Sequence, residues 1–580
     1  MAGDIIVLKF GSSILNQLAD LPAAVHEIYR WYRAGWRVIA VVSAIGKTTE
    51  ALLGEARALA RASEPNATAE LLATGERHSA ALLGIALDRA GVASAVVDPR
   101  DIGLRTVGSA LDSEPMDVDR PRIETLLRQF AVLVVPGFFG YSATGQLQLL
   151  GRGGSDLSAV FLAAKLQASR CRLLKDVDGV YERDPALPAS TPSRRFISLA
   201  YRDAVERAAQ LIQPKAVHFL ERQGGHAEVA GLLRSHESTV GHTACVLTDT
   251  ANTPPTSVLL LGLGTVGFGV YQRIIAMHDH FRVVGALVRC RENHAGKEIP
   301  PGLLHESHDE VAQLSADVVV DALPGLQPSL RMVRHYLDRG IPVVSANKVL
   351  IAEAGCELLA LAARSAASLR YAAAVGGGAP MLERLRQETA RGEICSIAGV
   401  LNGTCNYILD RCVAGLSFDD AVRAAQECGF AEADPSEDLS GRDAARKLHI
   451  LAQRAFGQDL NALEMEPLDA ATLHRSYDAL GANETLRLIA RAHRRGNQVV
   501  GQIRLEALAA SDPFAHIRCE WNRLLITHTS GEEVAVSGRG AGRWPTTEAV
   551  MADLFDLRDG ELAQASAADL APVQRANGQR

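Results

Sequence analysis

Two ionisable residues, Asp443 and Lys447, have the types and the spacing that carbonyl chemistry can use. They stand at positions i and i+4 of a helical pattern, so one helix face presents a carboxylate beside an ammonium group. A surface ion pair is the ordinary interpretation. The reduction of a carbonyl is the alternative, because hydride addition builds negative charge on oxygen, and a nearby lysine can stabilise or protonate that oxygen.

A glycine turn upstream has the spacing of a dinucleotide site. The apolar run at 258–261 leads directly into GLGTVG, and an apolar helix start follows. Glycines let the backbone turn tightly and bring the amides of a helix N-terminus up to a pyrophosphate. The motif is short, so a plain glycine turn stays open as the alternative. The residues predicted to contact the cofactor here are Gly262, Gly264, Thr265, Val266 and Gly267.

The strand-like run RVVGALVR ends in Arg289, with Arg291 nearby. An NAD-specific site places an acidic residue at this point, on the ribose hydroxyl, whereas an arginine suits a 2′-phosphate. We therefore predict NADP(H), with NAD(H) as the second option. The alternative that needs no ligand is a solvated charge at the end of a strand.

The elements that must position these residues follow an α/β pattern. Strand-like runs IIVLKF, RVIAVVSA and AVLVVPGFFG alternate with helical spacing at 51–62, 69–90 and 158–168, which predicts a mainly parallel sheet. The alternation restarts at SVLLLGLG and continues through ADVVVDAL and IPVVSANK. After about residue 370, long helical segments mix with strand-like YAAAVGG and VVGQIRL, which predicts an α+β domain.

Length and composition indicate a multidomain globular protein. The 580 residues exceed what one core usually organises, and 47% of them are apolar and 22% charged. A net charge of -7 offers no basic surface for nucleic acid, and neither a leader nor a membrane span is visible, so we expect a cytoplasmic protein. The nine cysteines are scattered, which indicates neither disulfides nor zinc. The predicted domains are 1–250, 257–370 and 371–558, with a linker at 251–256 and a tail at 559–580.

Five motifs of the second half, in their order along the chain, resemble homoserine dehydrogenase over nearly all of 256–558. They are ANK (346–348), AAAVGGGAP (372–380), GVLNGTCNYIL (399–409), GFAEADPSEDLSGRDAARKL (429–448) and GRGAGRWPTTEAV (538–550). The resemblance implies a Rossmann dinucleotide-binding domain followed by an α+β catalytic domain. It also implies the NAD(P)H-dependent interconversion of aspartate 4-semialdehyde and L-homoserine.

The resemblance also implies roles for particular residues. Lys447 and Lys348 are the catalytic candidates, with Lys348 also at the cofactor. The residues expected to bind or orient the substrate are Asn402, Gly403, Thr404, Glu432 and Asp443. The backbone carbonyls of Val375, Gly377 and Ala379 match a site for a monovalent cation, Na⁺ or K⁺. Ala372 departs from the family, which commonly has Glu there.

The first half opens with Lys9 and the small-residue turn Gly11-Ser12-Ser13, which can approach phosphate oxygens. Together with VVSAIGKTTE (41–50), TGERHSAALL (74–83), GRGGSDLSA (151–159) and KDVDGVYERDP (175–185), it resembles an aspartate kinase of the amino-acid kinase family over roughly residues 4–248. A side-chain carboxylate is ionised at neutral pH, since its reference pKa is about 3.9. Its phosphorylation needs no general base, only positioning and charge neutralisation by the protein and Mg²⁺.

By this resemblance, Lys9 stabilises the transferring phosphoryl group and Asp156 organises that lysine and the metal-phosphate region. The residues expected to hold the amino acid are Thr49, Glu76, Arg152 and Ser155. Those expected around ATP are Gly11, Ser12, Asp178, Tyr181, Arg183 and Asp184.

The kinase half departs from its family at three positions. Ile14 stands where a serine is usual, and Gln210 stands where a lysine near the ATP phosphates is expected. Lys175 replaces a usual threonine, and it either compensates for the missing charge or is merely exposed.

We therefore predict a bifunctional aspartate kinase and homoserine dehydrogenase that forms a homo-oligomer, a dimer or tetramer. The alternatives are a degenerate kinase domain with an oligomerisation or regulatory role, and a kinase for another amino acid such as glutamate. The segment TDTANTPP is too short for the ACT modules that bind end products in the fused family, because a domain usually needs at least about 50 residues. We expect neither threonine nor lysine to inhibit the kinase allosterically.

Overall fold

The computed structural model describes residues 4–560 apart from 60–63, 186, 188–192, 235–236, 249–253, 429, 479 and 482. The chain divides into two compact units, one of residues 1–89 and 93–253 and one of residues 90–92 and 254–580. The predicted linker at 251–256 falls partly outside the described residues, and the predicted tail at 559–580 almost entirely. Within the described residues, no helix has the length and apolar character needed to cross a membrane.

The described residues of the first unit form thirteen strands and seven α-helices. Its strands are β1 (Ile5–Phe10), β2 (Arg37–Val42), β3 (Ser94–Val96), β4 (Arg105–Gly108), β5 (Ser113–Asp117), β6 (Val132–Pro136), β7 (Phe139–Tyr141), β8 (Leu147–Leu149), β9 (Arg170–Lys175), β10 (Arg195–Ala200), β11 (Ala227–Gly231), β12 (Glu237–Gly241) and β13 (Val246–Thr248). Its helices are α1 (Leu21–Arg33), α2 (Thr48–Leu59), α3 (Pro65–Arg89), α4 (Arg120–Gln129), α5 (Gly154–Leu166), α6 (Tyr201–Arg207) and α7 (Pro214–Gln223), with a 3₁₀ turn at Leu18–Asp20.

The main sheet of this unit has the strand order β13-β10-β12-β11-β9-β1-β2-β6-β3. At its centre β1 pairs in parallel with β2 and β9, and β2 pairs in parallel with β6. These strands are near-continuous apolar runs because parallel strands are buried on both faces. The carboxyl ends of β1, β2 and β9 therefore lie at one edge of the sheet, and the loops that follow them converge there. A smaller sheet, β5-β4-β7-β8, completes the unit.

In the part of the second unit that the structure describes, there are twelve strands and eleven α-helices. Its strands are β14 (Thr256–Leu261), β15 (Phe281–Leu287), β16 (Leu304–His305), β17 (Val318–Asp321), β18 (Val343–Ser345), β19 (Leu369–Arg370), β20 (Ile394–Val400), β21 (Ala462–Met465), β22 (Glu484–Arg495), β23 (Gln498–Ala509), β24 (Trp521–His528) and β25 (Glu533–Arg539). Its helices are α8 (Thr265–Ala276), α9 (His308–Ala312), α10 (Ser329–Asp338), α11 (Lys348–Arg364), α12 (Met381–Arg391), α13 (Gly403–Val413), α14 (Phe418–Glu427), α15 (Ser436–Leu439), α16 (Arg442–Phe456), α17 (Ala470–Asp478) and α18 (Arg543–Asp559). Short 3₁₀ helices lie at Arg291–His294, Pro301–Leu303 and Ala372–Ala374.

The first sheet of this unit is a doubly wound parallel sheet. Its strand order is β16-β15-β14-β17-β18-β19, so the order reverses beside β14, where such folds bind a dinucleotide outside the carboxyl ends of the strands. The strand-like reading of YAAAVGG is wrong. Strand β19 ends at Arg370, and a 3₁₀ helix and a buried glycine loop follow, because glycines offer a sheet no side chains to pack.

The second sheet has the order β21-β23-β22-β20-β24-β25 and is largely antiparallel. Its apolar face and the doubly wound sheet contribute to one hydrophobic core, which includes Leu259, Val319, Leu488 and Ile526. Helix α18 leaves this second sheet and packs on α8 of the first one. The two sheets of the second unit therefore form one packed body.

Candidate active sites

A cavity of about 780 Å³ opens at the carboxyl edge of the parallel strands in the first unit. Its wall is built from the loops after β1, β2 and β9 and from the start of α5. Ten of the predicted kinase-site residues line it, namely Lys9, Gly11, Ser12, Thr49, Glu76, Ser155, Asp156, Tyr181, Arg183 and Asp184. Two others, Arg152 and Asp178, do not, and Arg152 is exposed.

Three buried charges stand together in this cavity. Lys9 Nζ lies 2.7 Å from Asp156 Oδ1, and Lys175 Nζ lies 3.3 Å from Asp156 Oδ2. All three residues are at most 7% exposed. Burial raises the pKa of Asp156, but the charges of Lys9 and Lys175 outweigh burial and hold it below its ordinary value. The carboxylate is therefore ionised and fixes both ammonium groups.

The turn after β1 explains why this corner needs small residues. A Cβ added to Gly11 would lie 2.9 Å from Lys9 Nζ, so the glycine leaves room for the ammonium group. Ser12 and Ser13 are exposed and line the cavity. Ile14, the position that departs from the usual serine, is buried instead and adds to the core.

Glu76, on the long helix α3, carries an unsatisfied carboxylate oxygen. Its Oε1 accepts a hydrogen bond of 3.3 Å from the Ala44 amide, whereas its Oε2 is buried without a hydrogen-bond partner among the described residues. Burial raises the pKa of Glu76 to about 7, against the lowering effects of that amide and of Lys9. A cationic group of a ligand would satisfy the free oxygen and favour the ionised form.

The loop after β9 forms the opposite wall of the cavity. Tyr181 donates its hydroxyl hydrogen to Asp178, which lies behind it, and burial raises the pKa of Tyr181 above its ordinary value. Asp176 and Asp184 are exposed carboxylates on this wall. Carboxylate oxygens are the ligands that Mg²⁺ prefers, so the donor set fits a metal-nucleotide complex.

Two cations without a predicted role, Lys47 and Arg207, also line this cavity, together with Gln210. Lys47 lies within a quoted motif, whereas no quoted motif contains Arg207. Gln210 is the position where the family has a lysine. The alternative interpretation of Lys175 as a merely exposed residue is wrong, since Lys175 is buried. The signal available in the sequence was its position at the end of the strand RCRLLK, because a lysine that is buried there needs an ionic partner.

The predicted dinucleotide turn has the expected geometry. A Cβ on Gly267 would lie 2.0 Å from the Gly262 carbonyl oxygen, and one on Gly262 would lie 2.9 Å from the Ala322 oxygen. Gly264 precedes α8, is exposed, and has nothing within 4 Å of an added Cβ. Two glycines thus permit close packing, and the third leaves the N-terminus of α8 open to a phosphate. Arg289 is exposed just beyond the end of β15.

Asp443 is the centre of the second site. It is 2% exposed and forms ion pairs with two lysines. Its Oδ1 contacts Lys348 Nζ, and its Oδ2 lies 2.8 Å from Lys447 Nζ. Asn402 Nδ2 donates to the same Oδ2 at 2.9 Å. Burial raises the pKa of Asp443, but the charges of Lys447 and Lys348 outweigh it and hold the pKa well below its ordinary value. Because Asp443 and Lys447 are both buried, the interpretation of this pair as a surface ion pair is wrong.

The N-terminal ends of three helices position the side chains around Asp443. Asp443 lies in the first turn of α16, after Gly441 with a φ of 79°. Lys348 is the first residue of α11, and Asn402 caps α13 by accepting a hydrogen bond of 2.8 Å from the Cys405 amide. Lys447 Nζ donates to the Leu401 carbonyl at 2.8 Å, so the end of β20 also holds the lysine.

A buried carboxylate supports the Lys348 side of the site. Asp321, at the end of β17, accepts hydrogen bonds from the hydroxyls of Ser329 and Ser345, and burial raises its pKa to about 6. Ser345 in turn accepts from the amide of Asn347, which caps α11. This network fixes the loop from which Lys348 extends.

The remaining predicted residues lie around this centre at different depths. Thr404 donates to the Phe430 carbonyl at 2.7 Å, and Gly403 packs on the backbone of Glu520. The Glu432 carboxylate is exposed and forms no hydrogen bond or ion pair within the described part of the chain. Val375, Gly377 and Ala379 share one buried loop.

Two supporting residues escaped the sequence reasoning. Asp438 accepts a hydrogen bond of 2.7 Å from Asn402, and Asn522 donates to the Leu401 carbonyl at 3.1 Å. Asp438 lies within a quoted motif, whereas nothing in the sequence marks Asn522.

Comparisons with known proteins agree with this geometry. Three family models match, described as amino acid kinase family (residues 4–230), homoserine dehydrogenase, NAD binding domain (262–372), and homoserine dehydrogenase (380–555). A homoserine dehydrogenase of Synechocystis is 33% identical over 313 residues, covering 51% of this chain and 72% of that protein. One of Bacillus subtilis is 31% identical, covering 51% and 71%. The crystal structure of a homoserine dehydrogenase from Thiobacillus denitrificans is 31% identical with a TM-score of 0.50, covering 55% of this chain and 76% of that one.

Fold and sites together define a nicotinamide-dependent dehydrogenase joined to an amino acid kinase domain. The chain belongs to the homoserine dehydrogenase family. These matches confirm the predicted fold class. They also confirm the prediction of a bifunctional enzyme of the aspartate pathway.

Proposed function

We propose that the second unit interconverts aspartate 4-semialdehyde and L-homoserine with NADP(H), and that the Asp443 cluster is its catalytic centre. The observation that carries this proposal is the buried carboxylate with two lysines on it. A carbonyl carbon that accepts a hydride leaves negative charge on its oxygen. The nicotinamide supplies that hydride when bound, and a lysine stabilises the oxygen and gives it a proton.

The two lysines divide this work according to their surroundings. Lys447 uses its ammonium hydrogens on Asp443 and the Leu401 carbonyl, which leaves one of three donors for a substrate oxygen. Lys348 is 41% exposed in its side chain and can meet either the cofactor or the substrate. We assign substrate binding to Asn402, Gly403, Thr404, Glu432 and Asp443, and cofactor binding to Gly262, Gly264, Thr265, Val266, Gly267 and Arg289.

Arg289→Ala tests the preference for NADPH. We expect kcat/KM for NADPH to fall by about tenfold or more, because a charge-assisted contact to the 2′-phosphate is lost, while the value for NADH stays the same. The measurement is initial rates with both cofactors. The matched control is Arg282→Ala, which removes an exposed arginine near the start of β15, at the opposite end of the strand from Arg289. An unchanged cofactor ratio in Arg289→Ala would contradict the assignment.

Lys447→Ala tests the catalytic centre. We expect dehydrogenase kcat to fall by about 100-fold or more, because a donor to the developing oxyanion is removed. ATP chemistry on the first unit should persist, and thermal unfolding should be measured alongside. Wild-type dehydrogenase turnover in this variant would exclude Lys447 from the reaction.

We further propose that the first unit phosphorylates L-aspartate at its side-chain carboxylate. The buried, unsatisfied Glu76 oxygen supports this proposal, because the ammonium group of an amino acid is a fitting partner for it. Thr49, Arg152 and Ser155 would complete the grip on the amino acid, with Lys9 and Asp156 at the phosphoryl group. Gly11, Ser12, Asp178, Tyr181, Arg183 and Asp184 would hold Mg²⁺-ATP or the residues that contact it.

Aspartyl hydroxamate formation tests this kinase proposal against the degenerate-domain alternative. We expect wild-type protein with Mg²⁺-ATP to phosphorylate aspartate and not glutamate. Lys9→Met should lose at least about 100-fold in rate, because it removes charge from the phosphoryl site while keeping an apolar stem of similar length. Equal rates in wild type and Lys9→Met at saturating ATP would favour the degenerate domain, and preference for glutamate would favour the other amino-acid kinase.

The pH dependence of aspartate use tests Glu76. Its pKa of about 7 means that the carboxyl is neutral below that pH and cannot pair with an ammonium group. We expect kcat/KM for aspartate to rise as pH increases from 6 to 8, and Glu76→Gln to be slower and to lack this rise. The measurement is initial rates at subsaturating aspartate. A wild-type profile that falls over this range would contradict the role of Glu76.

Other assignments remain proposals. We also propose a monovalent cation, Na⁺ or K⁺, at the backbone carbonyls of Val375, Gly377 and Ala379, which share one buried loop. We retain the predicted homo-oligomer, the cytoplasmic location, the domain boundaries and the absence of allosteric inhibition by threonine or lysine. The last proposal is supported by the short connection, since β13 ends at Thr248 and β14 begins at Thr256.

A further inference from the structure

Asp156 is shared by two ammonium groups, so the buried cluster of Lys9, Asp156 and Lys175 has one positive charge in excess. Lys9 Nζ is 2.7 Å from the carboxylate, and Lys175 Nζ is 3.3 Å from its other oxygen. All three side chains are less than a tenth exposed. An uncompensated buried charge is unfavourable, so an anion bound in the cavity that the cluster lines would complete it.

The cavity wall beside Lys175 suits phosphate oxygens. Lys9 and Lys175 leave neighbouring parallel strands, since Lys9 pairs with Leu173 in the register of β1 and β9. Ser12, Ser13 and Ser155 line the same cavity, and the glycine turns there keep bulky side chains away. Gln210, also on the wall, contributes no charge.

We propose that Lys175 is a second catalytic ammonium of the kinase site, which binds the phosphate oxygens of the nucleotide beside Lys9 while Asp156 holds both lysines. This inference rests on the proposed kinase function. In the reaction, a carboxylate oxygen of the amino acid forms a bond to the γ-phosphorus. The bond from that phosphorus to the bridging oxygen breaks, and ADP leaves with the electron pair. No proton is transferred, so the work of Lys175 is to neutralise charge on the oxygens.

The same geometry separates two kinds of substitution at Lys175. Lys175→Met removes the second ammonium group and leaves Lys9 and Asp156 as a neutral pair. Lys175→Arg keeps a positive charge beside Asp156, but on a planar guanidinium rather than a compact ammonium group. Nucleotide binding should therefore weaken strongly in Lys175→Met and less in Lys175→Arg.

Isothermal titration calorimetry of the full-length protein with Mg²⁺-ATP, without amino acid, tests this inference. We expect equal affinity in wild type and in the control Lys165→Met, which removes a half-exposed lysine at the far end of α5. Lys175→Met should bind Mg²⁺-ATP at least about tenfold more weakly and lose about 100-fold in kcat/KM for ATP, because the phosphate oxygens lose one of two ammonium partners. Lys175→Arg should bind with intermediate affinity and lose at least about fivefold in kcat/KM for ATP, because a guanidinium cannot take the compact position of the ammonium group.

Lys175→Arg keeps the positive charge, so it tests the inference even if Lys175→Met does not fold. Wild-type affinity for Mg²⁺-ATP and wild-type kcat/KM for ATP in the Lys175 variants would overturn the role of Lys175 and leave the kinase proposal standing. Wild-type protein that does not bind Mg²⁺-ATP would overturn both. Affinity that is lost in the variants, in a protein that phosphorylates glutamate and not aspartate, would support Lys175 and overturn only the proposed substrate.

Discussion

A buried aspartate shared by two lysines is the interaction on which each site depends. Asp156 holds Lys9 and Lys175, and Asp443 holds Lys348 and Lys447. A lysine alone in such a place would lose its proton or turn toward solvent, whereas the carboxylate keeps the ammonium groups charged and fixed. Phosphoryl transfer and carbonyl reduction differ in mechanism, yet both build negative charge on oxygen, and a charge excess of this kind suits either reaction.

The two aspartates also share their local structure. Each lies in the first turn of a helix that begins after a glycine with left-handed backbone, Gly153 before α5 and Gly441 before α16. The free amides of a helix N-terminus favour negative charge, so the helix start helps keep the buried carboxylate ionised. The lysines reach it in different ways, from adjacent strands in the first unit and, for Lys447, from the next turn of the same helix. Two unrelated architectures thus arrive at the same electrostatic arrangement.

The sequence predicts best those features that depend on neighbouring residues, namely hydrophobic periodicity and backbone conformations that require glycine. The parallel strands and the turn at Gly262 and Gly267 are such features, since a buried strand needs an apolar run and close packing needs glycine. Contacts between distant residues leave no comparable pattern in the sequence. The partnership of Lys348 with Asp443, the burial of Lys175 and the role of Asn522 depend on tertiary packing. The strand predicted for YAAAVGG is absent because a short apolar run does not by itself distinguish a strand from a 3₁₀ turn followed by a buried loop.

Helix α18 has a consequence for how the second unit is made. It is the last described element to leave the ribosome, yet it packs on α8, near the start of that unit, where Phe555 meets Phe281 at 4.9 Å and Glu548 forms a buried ion pair with Arg273. The apolar surface around Phe281 and α8 therefore stays uncovered until α18 has been synthesised, long after the last strand of the doubly wound sheet. The emergence of α18, rather than that of the dinucleotide-binding segment, sets the moment at which the dehydrogenase can complete its core.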